Sequence, residues 1–200
     1  MADRRNKQNL RKLTLTSILT ALIIVMSFTP IGYLKIGVVS ITFISIPVVI
    51  GAIVEGPAIG AFLGGIFGLT SFAQCFGMEA FGTALFSVNP LYTGILCIVP
   101  RVLMGLLSGL IFKAVKSKFK RNAIPCGIAS VSGGIMNTVL FVTALILFFG
   151  NSEVLSGLGD TVPAIIASLV TFNAIIEWIA CFAIGTAVSK TLFTVIKNRM

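Results

Sequence analysis

Glu55-Gly-Pro-Ala-Ile-Gly-Ala-Phe-Leu-Gly-Gly-Ile-Phe-Gly-Leu69 is the stretch on which the reading of this chain turns. Gly56, Gly60, Gly64 and Gly68 recur every four residues within an otherwise apolar run. In a water-soluble helix each would cost roughly 1 kcal/mol relative to alanine. In a bilayer the lipid tails are as apolar as leucine, so helices associate by close packing, and small residues let two backbones approach. A four-residue repeat drifts slowly around a helix of about 3.6 residues per turn. The glycines therefore form a spiral groove for a neighbouring helix to cross. Pro57 opens the helix where its missing N–H is harmless. A phosphate-cradling loop would need G-x-x-x-x-G-K-[ST], which is absent, and would not separate its glycines with bulky apolar residues.

Composition points the same way. Hydrophobic residues make up 56% of the 200 and charged residues 10%, where a soluble domain carries about 25% charged residues. Mean hydropathy is +1.06. The expectation is an all-α integral membrane protein, one domain over residues 1–200, with six transmembrane helices in a single bundle. The spans are drawn at 13–29, 38–54, 57–76, 91–112, 126–149 and 163–188. At about 1.5 Å per residue these lengths suit a hydrocarbon core of ~30 Å, the longer ones with some tilt. The first apolar run has no clear cleavage site and leads into further spans, so it reads as a retained helix. Pro47 inside the second span predicts a kink, with Thr42 and Ser45 placed to repair the freed carbonyl. Residues 77–90 read as a longer connection.

Charge gives orientation. With six spans, both termini and the loops around Glu55 and Lys113–Arg121 share one side. Of the fifteen Lys and Arg, thirteen fall there, and only Lys35 and Arg101 do not. Cytoplasmic loops collect Lys and Arg, so both termini are expected in the cytoplasm of a bacterial plasma membrane. Topology accounts for the net charge of +9, and nucleic acid is not an expected partner. Attraction to anionic lipid headgroups is a secondary consequence.

Chemistry is scarce. There is no histidine, the commonest general base and metal ligand. Cys75, Cys97, Cys126 and Cys181 have no C-x-x-C spacing and read as small hydrophobes rather than as a disulfide framework or a metal site. No nucleophile has an evident base, so neither catalysis nor a cofactor is expected. What stands out is a small polar set at membrane depth: Arg101 in the fourth span, Asn137 in the fifth, and Asn173 and Glu177 one turn apart in the sixth. Arg101 is roughly 15 Å from the outer surface. Buried charge costs several kcal/mol in lipid, so such residues face the bundle interior and have partners. Two accounts are open. In one, Arg101 and Glu177 neutralise each other and Asn137 and Asn173 join helices at ~0.6 kcal/mol each. In the other, an outward-facing site uses Arg101 to receive a carboxylate bidentately, Asn137 and Asn173 to fix a polar backbone, and Gln74, Asn89, Tyr33 and Lys35 as a lid.

Three segments carry a family resemblance: Ser45-Ile-Pro47-Val-Val-Ile-Gly51, Gly56-Pro57-Ala-Ile-Gly60-Ala-Phe-Leu-Gly64 and Val99-Pro100-Arg101-Val-Leu-Met-Gly105. In order and spacing they resemble the substrate-binding S components of energy-coupling factor (ECF) vitamin transporters, over nearly the whole chain. Asn137-Thr138 and Asn173-Ala-Ile-Ile-Glu177 are most similar to the pantothenate-specific members, while riboflavin-specific members are similar through the second and third spans. The resemblance implies a subunit that captures a vitamin at its outer face. It would hand the vitamin over with a membrane-embedded coupling protein and two cytoplasmic ATPases, toppling in the membrane to release it. Family members carry Ala-x-x-x-Ala in the first helix where it meets the coupling protein. Here Ser17-Ile-Leu-Thr-Ala21 holds that place, which makes Ser17 and Ala21 the expected docking residues; ordinary internal helix packing explains the same pair. A self-sufficient secondary transporter, with Glu177 as its coupling carboxylate, is the other class of transporter open to the sequence, although no inverted repeat is evident. A structural membrane subunit without a ligand is the third.

Overall fold

The computed structural model describes residues 2–29, 32–36, 39–119, 123–150, 152 and 172–198, without the side chains of residues 2–5, 7, 8, 33–36, 39–41, 172, 173, 193, 194 and 196–198. Its elements are α1 (Ala2–Ser27), a hairpin of β1 (Tyr33–Ile36) and β2 (Val39–Thr42), α2 (Ser45–Val54), α3 (Pro57–Gln74), α4 (Ala80–Val88), α5 (Pro90–Lys116), α6 (Ala123–Phe149) and α7 (Phe172–Ala180). A five-residue π-helical segment, Cys181–Gly185, then leads into α8 (Thr186–Asn198). Among the described residues five helical stretches are long and apolar enough to cross a membrane: Asn9–Ser27, α3, α5, α6 and Ala174–Leu192, which runs through the π segment.

The second predicted span, 38–54, is not one helix. Its first part pairs as an antiparallel strand, with Tyr33 opposite Thr42 and Ile36 opposite Val39. The β-branched residues of Val-Ser-Ile-Thr favour a strand over a helix. Only Ser45–Val54 is helical, and nine of its ten residues are buried. A helix that is apolar all round belongs in the middle of a protein, and α2 is packed there: Ile46, Val48, Val49, Ile50 and Ile53 join Leu19, Ile23, Leu63, Phe67 and Met104 in one core cluster. Pro47 does not kink a span. It lies in the first turn of α2, where backbone N–H groups have no intrahelical partner in any case. The connection 77–90 also differs from expectation, because Ala80–Val88 folds as α4. The first part of the sixth predicted span, 163–171, lies outside the described residues.

The glycine repeat runs along the α3–α5 crossing. A methyl group placed on Gly60 or Gly64 would meet the backbone carbonyl oxygens of Gly105 and Arg101, and one on Gly68 would fall 2.7 Å from the Ile98 Cα. Across the contact, a methyl on Gly109 would fall 2.7 Å from the Pro57 Cα. The two backbones thus touch over about three turns, as helices do when small residues line their interface. Gly56 has a different task. It precedes α3 with φ +106°, and nothing lies within 4 Å of its missing side chain. It is needed for a left-handed turn and not for packing.

Polar contacts tie the ends of the bundle. Ser27, the last residue of α1, donates from its hydroxyl to Thr70 at 2.9 Å. Tyr92 of α5 stacks on Phe148 of α6, ring centroids 5.2 Å apart. At the opposite end Glu55, between α2 and α3, feels the charges of Lys12 and Arg11 from α1; burial pushes its carboxyl above the usual range and the two cations pull it back. All four cysteines are free and buried.

Candidate functional site

Arg101 occupies the middle of α5, immediately after Pro100. Proline supplies no N–H, so the carbonyl four residues earlier, that of Leu96, loses its helical partner. The Arg101 side chain turns back along its own helix and donates from Nη1 to that carbonyl at 2.9 Å. The cation itself lies over two rings, 4.7 Å from the Phe141 centroid on α6 and 5.5 Å from that of Phe67 on α3. Such contacts contribute about 0.5–2 kcal/mol each, most where water is excluded. Arg101 is nevertheless only half-buried, and its Nε is enclosed without a hydrogen-bond partner.

One turn along α6 from Phe141 is Asn137, 8% exposed. Its Nδ2 donates to Oε1 of Glu177 at 3.2 Å, and its Oδ1 is enclosed without a partner. Glu177 is also 8% exposed. The Ser45 hydroxyl from the start of α2 lies 3.1 Å from the same Oε1, within donating reach, and 3.4 Å from Cys181 Sγ. Two elements far apart in sequence, α2 and α6, thus converge on one carboxylate of α7, and it lies one turn before the π segment. Single π turns inside helices are frequent at functional sites. Beside this cluster Trp178 Nε1 donates to Thr138 Oγ1 at 3.4 Å.

The described residues hold no ion pair between Arg101 and Glu177. Glu177 is held by neutral donors, and the Arg101 charge reaches it only through space. Two of the four expected lid residues, Gln74 and Asn89, are engaged at helix ends. Gln74 is buried, and its amide donates to the Ser27 carbonyl, bracing the end of α1 against α3. Asn89 is the N-cap of α5, accepting from the N–H groups of Leu91 and Tyr92 at 3.1 and 3.2 Å. Asn followed by Pro at the first helical position is a helix-start signal, and it was available in the sequence. Tyr33 and Lys35 lie on β1, opposite Thr42 and Ser40; their side chains, like that of Asn173, lie outside the description. Ser17 and Ala21 are both exposed on α1, one turn apart, on the side away from buried Leu19 and Ile23. Phe67, Phe141 and Ser45 are the site residues that residue-type reasoning passed over, because an apolar ring or a serine carries no signal of its own. No group of three His, Cys, Asp or Glu that could hold a metal ion occurs among the described residues.

A family model described as "ECF transporter, substrate-specific component" matches residues 11–189. The chain belongs to this family. As an S component it is a multi-pass membrane protein of a vitamin transporter, acting with membrane partners. Two relatives stand with it. A Lactococcus lactis subsp. cremoris protein named pantothenic acid transporter PanT is 29% identical over 160 residues, 76% of each chain. A Leuconostoc mesenteroides subsp. mesenteroides protein named pantothenate transporter PanT is 28% identical over 189 residues, 90% of this chain and 91% of the other.

Proposed function

We propose that this S component captures pantothenate at a site open to the outside, built around Arg101 and Asn137. It hands the vitamin over with a coupling protein and two cytoplasmic ATPases. The observation that carries the reading is that, of the seven enclosed side-chain polar atoms without a partner among the described residues, one belongs to Arg101 and one to Asn137. Arg101 Nε is a cationic donor without an acceptor, and Asn137 Oδ1 is an acceptor without a donor. A buried polar atom left unpaired costs about 1–3 kcal/mol. A ligand with a carboxylate at one end and uncharged O–H or N–H groups along its length satisfies both. Pantothenate has that composition, and both named relatives are pantothenate transporters. Asn173, Tyr33 and Lys35 belong to the same proposed site as further polar contacts. Gln74 and Asn89, which hold helix ends, support its walls.

In the proposed topology six segments occupy the membrane, α2 being the short one, and both termini are cytoplasmic. The thirteen-to-two division of Lys and Arg supports it. Cysteines placed at the exposed positions Ser87 and Ser117 test it with an impermeant thiol reagent added to intact cells. The native cysteines are buried and need not be removed. Ser87→Cys is expected to be labelled and Ser117→Cys to be protected. The reverse pattern would overturn the orientation.

Reconstitution tests the function as a whole. Proteoliposomes holding the S component with its coupling protein and ATPases are expected to accumulate pantothenate on ATP addition, and those holding the S component alone are not. Uptake by the S component alone would make it a secondary transporter. Ser17→Leu and Ala21→Leu put bulk on the exposed face of α1, where a second helix would have to approach closely. Both variants are expected to bind pantothenate normally while co-purifying poorly with the coupling protein. Normal co-purification would move the docking surface elsewhere.

A further inference from the structure

We infer that Glu177 is a positioning residue. By accepting from Asn137 Nδ2 it fixes the side-chain amide so that Oδ1 faces the ligand, and thereby selects ligands that present an uncharged hydrogen-bond donor at that point. The inference deepens the proposed pantothenate reading and rests on it.

An asparagine amide is nearly symmetric in shape but opposite in hydrogen-bonding sense at its two ends, with two donors on nitrogen and an acceptor on oxygen. Which end meets a ligand is decided by what holds the other. Here Glu177 Oε1 lies 3.2 Å from Asn137 Nδ2. With Nδ2 donating to that carboxyl oxygen, Oδ1 is turned to the other side of the amide. The Ser45 hydroxyl, 3.1 Å from the same oxygen, holds the carboxylate in turn. Rotation of Glu177 away from Asn137 would break that second contact. Asn137 is more than nine-tenths buried, and its Oδ1 has no partner within the protein. One turn further along the same face of α6, Phe141 carries the Arg101 cation. The site therefore offers an acceptor of fixed sense beside a cationic donor of fixed place. An anion alone satisfies Arg101 and leaves Asn137 unmatched; an anion that also bears an O–H or N–H satisfies both. Sites built to pair with a substrate O–H or N–H reject analogues that lack it strongly, because a buried polar group is then left unmatched.

The orienting role needs an acceptor oxygen and not a charge, which separates it from simple charge balance against Arg101. Glu177→Gln keeps an oxygen that can accept from Asn137 and Ser45, and Glu177→Leu keeps bulk but no acceptor. Titration calorimetry would use the purified S component with pantothenate and with analogues that each lack one donor: the N-methylated amide and the two deoxy compounds. Glu177→Gln is expected to bind pantothenate within about threefold of wild type. Glu177→Leu is expected to lose about tenfold or more for pantothenate, yet less than twofold for the one analogue whose missing donor is read by Asn137. In an Asn137→Ala background, Glu177→Leu is expected to cost pantothenate nothing further, as residues acting through one contact are non-additive. Equal losses for every ligand would reduce Glu177 to a structural residue and overturn the inference. So would a Glu177→Gln variant as weak as Glu177→Leu, which would point to charge. If Glu177→Leu does not fold, Asn137→Ala decides the matter: a uniform loss over all analogues also overturns it. Failure of wild type to bind pantothenate at all would instead remove the pantothenate reading, which keeps the two failures distinct.

Discussion

Gly64→Ala is expected to destabilise the purified protein, and Gly65→Ala, one residue along the same helix, to leave it unchanged or firmer. Both substitutions gain about 1 kcal/mol of helix propensity. At Gly64 the added methyl lands on the backbone carbonyl of Arg101, whereas at Gly65 its nearest neighbour is a Val102 methyl at 3.7 Å, an ordinary contact. Backbone cannot rotate out of the way as a side chain can. Overpacking of this kind costs about 1–3 kcal/mol, which exceeds the propensity gain. Gly64→Leu is expected to be worse still and to abolish monodisperse purification. Thermal unfolding in one detergent compares the three variants. Equal behaviour of the two alanines would mean that α3 and α5 are not in backbone contact. Because the obstructing carbonyl is that of Arg101 itself, Gly64→Ala is also expected to weaken ligand binding, through displacement of α5.

That the glycine spacing was legible in the sequence, and the second predicted span was not, has a common cause. A four-residue repeat of small residues reports a packing geometry directly, because only small side chains let backbones touch. Hydropathy reports only that residues avoid water. Residues 39–54 instead form a strand and a ten-residue helix enclosed by the rest of the bundle. A window that counts apolar residues cannot separate these from a membrane span. The β-branched residues of 39–42 and the position of Pro47 at a helix start could have separated them.

The candidate site was legible in its members more than in its connections. Arg101, Asn137 and Glu177 stood out as polar groups in apolar segments, where such residues need partners. Their partners were not visible. Ser45 is 132 residues from Glu177 and Asn137 is 40, distances over which no local pattern operates. The pairing of Arg101 with Leu96 is an exception, because it follows from asking which carbonyl Pro100 leaves without a donor. Gln74 and Asn89 were drawn into the site as polar residues at the outer ends of spans, and both hold helix ends.

Arg101→Gln is expected to cost pantothenate several-fold to a few hundred-fold in affinity, about 1–3 kcal/mol for a charge-assisted contact. In the proposed site the carboxylate would meet a guanidinium already held by the Leu96 carbonyl and the rings of Phe67 and Phe141. A group already held loses little freedom on binding. The substitution has a second effect, because it leaves the Leu96 carbonyl unmatched and loosens α5 at its proline. That structural loss falls on any ligand alike. A neutral analogue therefore isolates the electrostatic part.

Pantothenol, which replaces the carboxylate by a hydroxymethyl group, is the analogue to use. Isothermal titration of pantothenate and pantothenol against wild type and Arg101→Gln forms a closed cycle of four affinities. The expected result is that wild type prefers pantothenate, that Arg101→Gln loses most of this preference, and that pantothenol affinity falls only by the structural part common to both ligands. If the two losses simply add, so that Arg101→Gln keeps the full preference for the anion, Arg101 does not read the carboxylate.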